Sequence, residues 1–145
     1  MSKDILDTCI YIGYEKQAFA KTYSMSAVVL QEMTVGSSNG KELRFWELTR
    51  KSLESKKLLL TPNGEDWYFA GKVLNSLLRG LKSKNQGKTP KLSPNEKGRI
   101  IRDVLIARTA RRENARLVTD NIKDFEMIKR FCNVKIISGK DCFGE

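Results

Sequence analysis

A few acidic residues stand where a carboxylate should cost stability, and they are far apart along the chain. Glu32 lies among Val28, Val29 and Met33 on the apolar stripe of a helical pattern, and Asp103 is flanked at helical spacing by Ile100, Val104, Ala107 and Ala110. An ionised carboxylate buried without a partner is expensive, so each of these needs a cation, a hydrogen-bond network or a raised pKa. Asp7 ends the apolar approach Ile5-Leu6, while Asp120, Asn121 and Asp124 follow the run Leu117-Val118-Thr119. If both runs are strands of an open parallel sheet, both acidic groups lie at carboxyl ends, where functional groups collect. Four chain-distant acidic positions then converge on one point. A cluster of oxygen ligands without His or Cys suits a hard ion such as Mg²⁺ or Mn²⁺, not zinc or copper. Metal-assisted phosphodiester hydrolysis is the chemistry such a set supports.

Each residue also has a plainer reading. Asp7 with Thr8 could cap a turn, and Glu32 and Asp103 could pair with Arg102, Arg108 or Arg111. Asp120-Asn121 could be an Asx-turn, and Asp124 the N-cap of a helix beginning at Phe125. The case for a site rests on the joint arrangement.

Composition narrows the chemistry further. Lys and Arg number 27 against 17 Asp and Glu, for a formal net charge of +10, which favours a polyanionic partner such as nucleic acid. The chain has no histidine, which removes the usual general base of serine and cysteine hydrolases and the commonest zinc ligand. Cys9, Cys132 and Cys142 lack the paired spacings of zinc or redox motifs and are expected to be reduced packing thiols. No apolar run approaches membrane-spanning length. Lys3, Asp4 and Asp7 leave no apolar core for a signal peptide, so a soluble, cytoplasmic protein is expected. A length of 145 residues predicts a single domain over 1–145.

The elements that must position these residues alternate. Ile5 to Ile12 reads as an opening buried strand turning near Gly13, and Tyr23 to Ser26 as a short extended piece after a first helical stretch. Ala27 to Gly36 reads as a helix with Ser26 as N-cap. Leu43 to Ser55 is a second helix, Leu58 to Leu60 a short strand and Trp67 to Leu81 a helix opened by Pro62, Asn63 and Gly64. Lys82 to Asn95 reads as a basic loop, its lysines either tracking RNA or simply solvated. Ile100 to Arg112 is a helix, Arg116 to Thr119 a buried strand, Phe125 to Phe131 a short helix and Val134 to Ile137 the last strand. This order predicts an α/β fold with a mostly parallel sheet. Gly36-Ser-Ser-Asn-Gly40-Lys41 is one residue short of a phosphate-binding loop and carries Glu42 in place of the Ser or Thr, so it reads as a turn. Trp46, Trp67, Tyr68 and Phe69 fall in helical patterns and are expected in the core or an interface rather than stacked on bases.

Four motifs, Ile5-Leu-Asp-Thr8, Ser26-Ala-Val-Val-Leu-Gln-Glu32, Arg102-Asp-Val-Leu-Ile-Ala107 and Leu117-Val-Thr-Asp-Asn-Ile-Lys-Asp-Phe125, follow one another as in PIN-domain proteins. Over nearly its full length the chain resembles the VapC-like toxin ribonucleases of type II toxin-antitoxin pairs. The resemblance implies a three-layer α/β/α PIN-like fold with Asp7, Glu32 and Asp103 as three acidic site positions and Thr119 as the neighbouring hydroxyl. It places the fourth ligand on Asn121 with Asp124 as a further acid, and leaves Asp120 as an alternative. Arg102 stands where the family often has Asn. The implied function is an endoribonuclease using one or two Mg²⁺ or Mn²⁺ ions and leaving 5′-phosphate and 3′-hydroxyl ends. The implied partners are the RNA substrate, a small antitoxin and a second copy of the chain. The rival readings are a PIN-type nuclease of RNA maturation or DNA processing, and a catalytically silent RNA-binding module.

Overall fold

The computed structural model describes residues 3–84, 86 and 92–144. Its strands are β1 (Lys3–Leu6), β2 (Met25–Ser26), β3 (Leu59–Leu60), β4 (Ala115–Val118) and β5 (Lys135–Ile137). The helices are α1 (Thr8–Gly13), α2 (Glu15–Ala18), α3 (Ala27–Val35), α4 (Gly40–Ser55), α5 (Gly64–Lys84), α6 (Pro94–Arg112), α7 (Ile122–Lys129) and α8 (Gly139–Phe143). Strands β1, β4 and β5 form one parallel sheet in the order β1-β4-β5, and β2 pairs in parallel with β3. A parallel bridge between Ile5 and Ser24 joins the two ladders, giving the continuous order β3-β2-β1-β4-β5. Ile5, Leu6, Leu117 and Val118 are fully buried, as expected of parallel strands covered on both faces.

From β1 the chain steps outward to β2 and β3, then returns to the other side of β1 for β4 and β5. Helices α1 to α4 contact one another and reach β2 through α3 and β3 through α4, whereas α5 packs on α6, α6 on β4, β2 and α7, and α7 on β5. With the usual right-handed crossovers, these opposite directions of travel put the two helix sets on opposite faces of the sheet. The α/β architecture expected from the motif order is the one observed. Helices α3 and α6 also touch each other, which brings the two layers together beside the strand ends.

Several boundaries differ from the expected ones. The opening strand stops at Leu6, and Thr8 to Gly13 is helical because Asp7 takes an extended conformation and accepts a hydrogen bond from the Thr8 N–H as its N-cap. Helix α4 begins at Gly40: the Asn39 side chain accepts from the Glu42 N–H and Glu42 in turn accepts from the Ser38 N–H. The glycine-containing segment is therefore a helix start, in keeping with its reading as a turn. Helix α6 begins at Pro94, six residues before its expected start at Ile100, on a reciprocal Ser93–Glu96 capping box. Lys82 and Lys84 belong to α5, while Lys88 and Lys91 of the expected basic loop lie outside the described residues. Trp46 is buried against Tyr11 and Phe45, and Trp67 and Tyr68 are exposed on α5. Among the described residues no helix is long and apolar enough to cross a membrane.

Candidate functional site

The parallel ladder continues one residue beyond the formal strands. The Asp7 N–H donates to the Val118 carbonyl at 2.9 Å and the Thr119 N–H to the Ile137 carbonyl at 2.9 Å. Backbone pairing therefore fixes Asp7 and Thr119 side by side at the carboxyl ends of β1 and β4. The direction of chain progression reverses between these strands, and open α/β sheets form their crevice at such a point. The Thr119 hydroxyl donates to Asp7 Oδ2 at 2.8 Å, and the Thr8 N–H reaches Asp7 Oδ1 at 2.8 Å. Asp7 is 3% exposed, so its orientation is set by hydrogen bonds to both oxygens. Capping a helix and facing the site are thus compatible roles for one side chain.

Glu32 arrives from α3, which Ser26 starts at the end of β2 by accepting from the Val28 N–H. Its Oε1 accepts from the Thr8 hydroxyl at 3.0 Å, and its Oε2 lies 3.7 Å from Arg102 Nε. Burial raises the Glu32 pKa, Asp7 adds to the rise, and Thr8 and Arg102 oppose it. Asp103, on α6, has no ion pair among the described residues. Burial first, then the charges of Asp7, Glu32 and Asp124, push its carboxyl up to about 8, with Arg99 the opposing cation. Asp7, Glu32, Asp103 and Asp124 therefore share one electrostatic neighbourhood.

The remaining expected residues separate. Asp120 is exposed, and its Oδ1 accepts from the Gly139 N–H at 2.9 Å, tying the site loop to the start of α8 rather than forming an Asx-turn. The exposed Asn121 is the N-cap position of α7 but makes no side-chain capping bond; its backbone N–H donates to the Thr119 hydroxyl at 3.0 Å. Asp124 is not an N-cap, because α7 begins at Ile122 and Asp124 sits in its first turn. Arg108, a sequence candidate for pairing with the site acids, goes instead to Asp66. Thr8 was visible only as the neighbour of Asp7, and Cys9 only as a packing thiol. The Cys9 sulfur lies 3.5 Å from Asp7 Oδ2 and 3.7 Å from Thr119 Oγ1, and burial, followed by the Asp7 charge, raises its pKa and keeps it a thiol.

The donor set fits a hard divalent cation in kind: carboxylate oxygens from separate elements, with no imidazole. Among the described residues, however, no three Cys, Asp or Glu side chains are gathered closely enough to form a ready-made cage. Like charges held in a poorly solvated crevice repel, and Arg102 already draws Glu32 to one side.

No protein-family model and no curated protein sequence matches this chain. Its fold, in contrast, is similar to that of chains in several solved complexes. A chain of the FitAB complex bound to IR36 DNA matches at TM-score 0.53 and 15% identity, covering 93% of this chain and 94% of that one. A chain of DNA-bound VapBC from Salmonella typhimurium matches at TM-score 0.51 and 19% identity, covering 95% and 98%. A chain of VapBC-1 from nontypeable Haemophilus influenzae matches at TM-score 0.53 and 23% identity, covering 93% and 96%. The observed fold is accordingly the PIN-like α/β fold that the sequence motifs imply.

Proposed function

We propose that this protein is a divalent-metal-dependent endoribonuclease and the toxin of a toxin-antitoxin pair. The observation that carries the reading is the meeting of Asp7, held beside Thr119 at the strand ends, with Glu32, Asp103 and Asp124 from three helices, where burial and the other acids' charges push the Asp103 carboxyl up to about 8. Stability is given up at one point of the fold, at the crevice where α/β sheets work, and perturbed groups of this kind mark functional sites. The charge of +10 suits an RNA substrate, and the structural neighbours come from VapBC and FitAB complexes.

Asp7, Glu32, Asp103 and Asp124 would hold Mg²⁺ or Mn²⁺, with Asn121 at the rim. When bound, such an ion supplies Lewis acidity toward the phosphoryl oxygens and an acidified water. The chain's own residues do the rest. Thr119 and the Thr8 N–H fix both Asp7 oxygens, so Asp7 meets substrate without rotamer search, and the Thr8 hydroxyl does the same for Glu32. With its carboxyl pushed up to about 8, Asp103 would have to give up a proton to hold a cation, so cation affinity should climb with pH up to about 8.

A protein partner has a surface beside these acids. A groove of about 1270 Å³ runs from Thr8 and Glu32 past Tyr11, Ile12, Phe19 and Phe45, and Ile12, Phe19 and Phe45 are 71%, 42% and 48% exposed. An apolar antitoxin segment lying there would pass beside Glu32. A second copy of this chain is the other expected partner, and sedimentation of the free protein reads it directly.

The test of activity is cleavage of mixed total RNA and transfer RNA with Mn²⁺ or Mg²⁺, beside EDTA and Asp103→Asn controls. Cutting that disappears in both controls supports the proposal. An inert wild type that still binds RNA would favour the silent RNA-binding module.

A further inference from the structure

Arg102 is not part of the acidic set, yet its guanidinium lies beside it. It leaves α6 one residue before Asp103, and its Nε lies 3.7 Å from Glu32 Oε2. That contact is an ion pair without a hydrogen bond, and the side chain is 42% exposed. Such a pair is weak and easily exchanged, and most of the guanidinium's donors remain available.

A second observation concerns how the side chain is routed. Gly98 lies one helical turn earlier on α6, and a Cβ there would stand 3.1 Å from Arg102 Nη1. Glycine is a poor residue inside a helix, and this one leaves room for the guanidinium to lie along the helix surface. Its φ is ordinary, so the backbone does not require glycine. Arg99, on the same part of α6, adds a second positive charge near Asp103. The site is thus an acidic crevice with an arginine lip.

We propose that Arg102 is a phosphate-binding arm: parked on Glu32 in the free protein, it transfers its guanidinium to a non-bridging oxygen of the RNA backbone when substrate lies over the acids. The proposal rests on the nuclease reading above and adds the residue that holds the backbone in place. Its chemistry is that of a planar, permanently charged donor, suited to two oxygens of one phosphate. No bond is made or broken by it.

The test is titration of a short labelled single-stranded RNA in Ca²⁺ at several salt concentrations, alongside Mn²⁺-dependent cleavage of the same RNA. Arg102→Gln should weaken binding about tenfold and lower the slope of log affinity against log salt by about 0.7. Gly98→Ala should weaken binding about twofold while leaving the melting temperature unchanged or higher, because alanine favours the helix but its methyl displaces the guanidinium. Arg50→Gln, which removes an exposed charge paired with Glu54 on α4, should bind as wild type does. The proposal is overturned if Arg102→Gln keeps the wild-type affinity and slope, if Arg50→Gln loses as much, or if the wild type does not bind RNA. Wild-type protein that binds RNA and depends on Arg102 but never cleaves would sink the nuclease reading and leave the phosphate arm standing.

Discussion

Two acidic residues of this fold, Asp66 and Asp103, meet opposite treatment. Asp66, at the start of α5, is 1% exposed. Its carboxylate accepts from Arg108 Nε at 3.0 Å and from the Asn63 N–H at 3.0 Å, and it also pairs with Arg112. It caps α5 and ties that helix to α6, with Arg108 further covered by the Phe69 ring at 4.5 Å. Asp103 sits on the same helix α6, is flanked by other acids and has no ion pair among the described residues. Burial of a carboxylate therefore says little about function; what surrounds it decides. One site is neutralised by arginine and holds helices together, and the other is left to be neutralised from outside.

The largest expected contrast is in activity. Asp103→Asn should reduce Mn²⁺-dependent RNA cleavage by at least about a hundredfold, whereas Asp66→Asn, assayed at a temperature where it remains folded, should stay within a few-fold of wild type. Comparable losses in both would erase the distinction. Stability should run the other way. Asp66→Ala strands Arg108 and should cost about 2–3 kcal/mol in denaturant unfolding, and a cost below about 0.5 kcal/mol would show the cluster to be dispensable.

The pH dependence sharpens the same contrast. The folded value of Asp103, about 8, lies above the ordinary 3.8, so the folded chain holds this proton more tightly than the unfolded chain. The stability this confers is fully present below about pH 4 and is lost as pH rises through about 8. In EDTA, Asp103→Asn should raise the melting temperature on the order of 5 °C relative to wild type at pH 8, with the gap narrowing toward pH 4. A gap independent of pH would show that Asp103 ionises without penalty. Smallest of all, millimolar Mn²⁺ should raise the wild-type melting temperature by a few degrees, roughly 2–4 °C, and move Asp103→Asn less. Equal shifts in both proteins would place any bound ion elsewhere.

The sequence exposed one of these two sites and hid the other, for a physical reason. Asp103 and Glu32 interrupt apolar stripes within their own helices, a local anomaly visible without the fold. Asp66 lies among polar residues at a helix start, and its burial arises only when α6 brings Arg108 and Arg112 across it. The alternation of strands and helices was legible for the same local reason, down to Ser26 as the cap of α3. Two other helix beginnings were not: Asn39-Gly40 and Ser93-Pro94 carry the same residue types that end helices, and only cap geometry separates the two. The run Ile5 to Ile12 looked like a strand because β-branched residues dominate it, but Asp7 redirects the chain after four strand residues. Of the fourth site motif, sequence could not choose among Asp120, Asn121 and Asp124, since Asp120's partner, the Gly139 N–H, lies nineteen residues away.

The ends of the sheet carry a last consequence. Its outermost strands, β3 and β5, are only two and three residues long, and Lys135 on β5 is exposed. Edges this short offer too few free backbone groups to template another strand, so self-association by strand addition is disfavoured. Recognition of another protein would then run through side chains on helices rather than through backbone pairing. Partners could therefore diversify by surface substitution alone, without any change to the sheet that sets Asp7 beside Thr119.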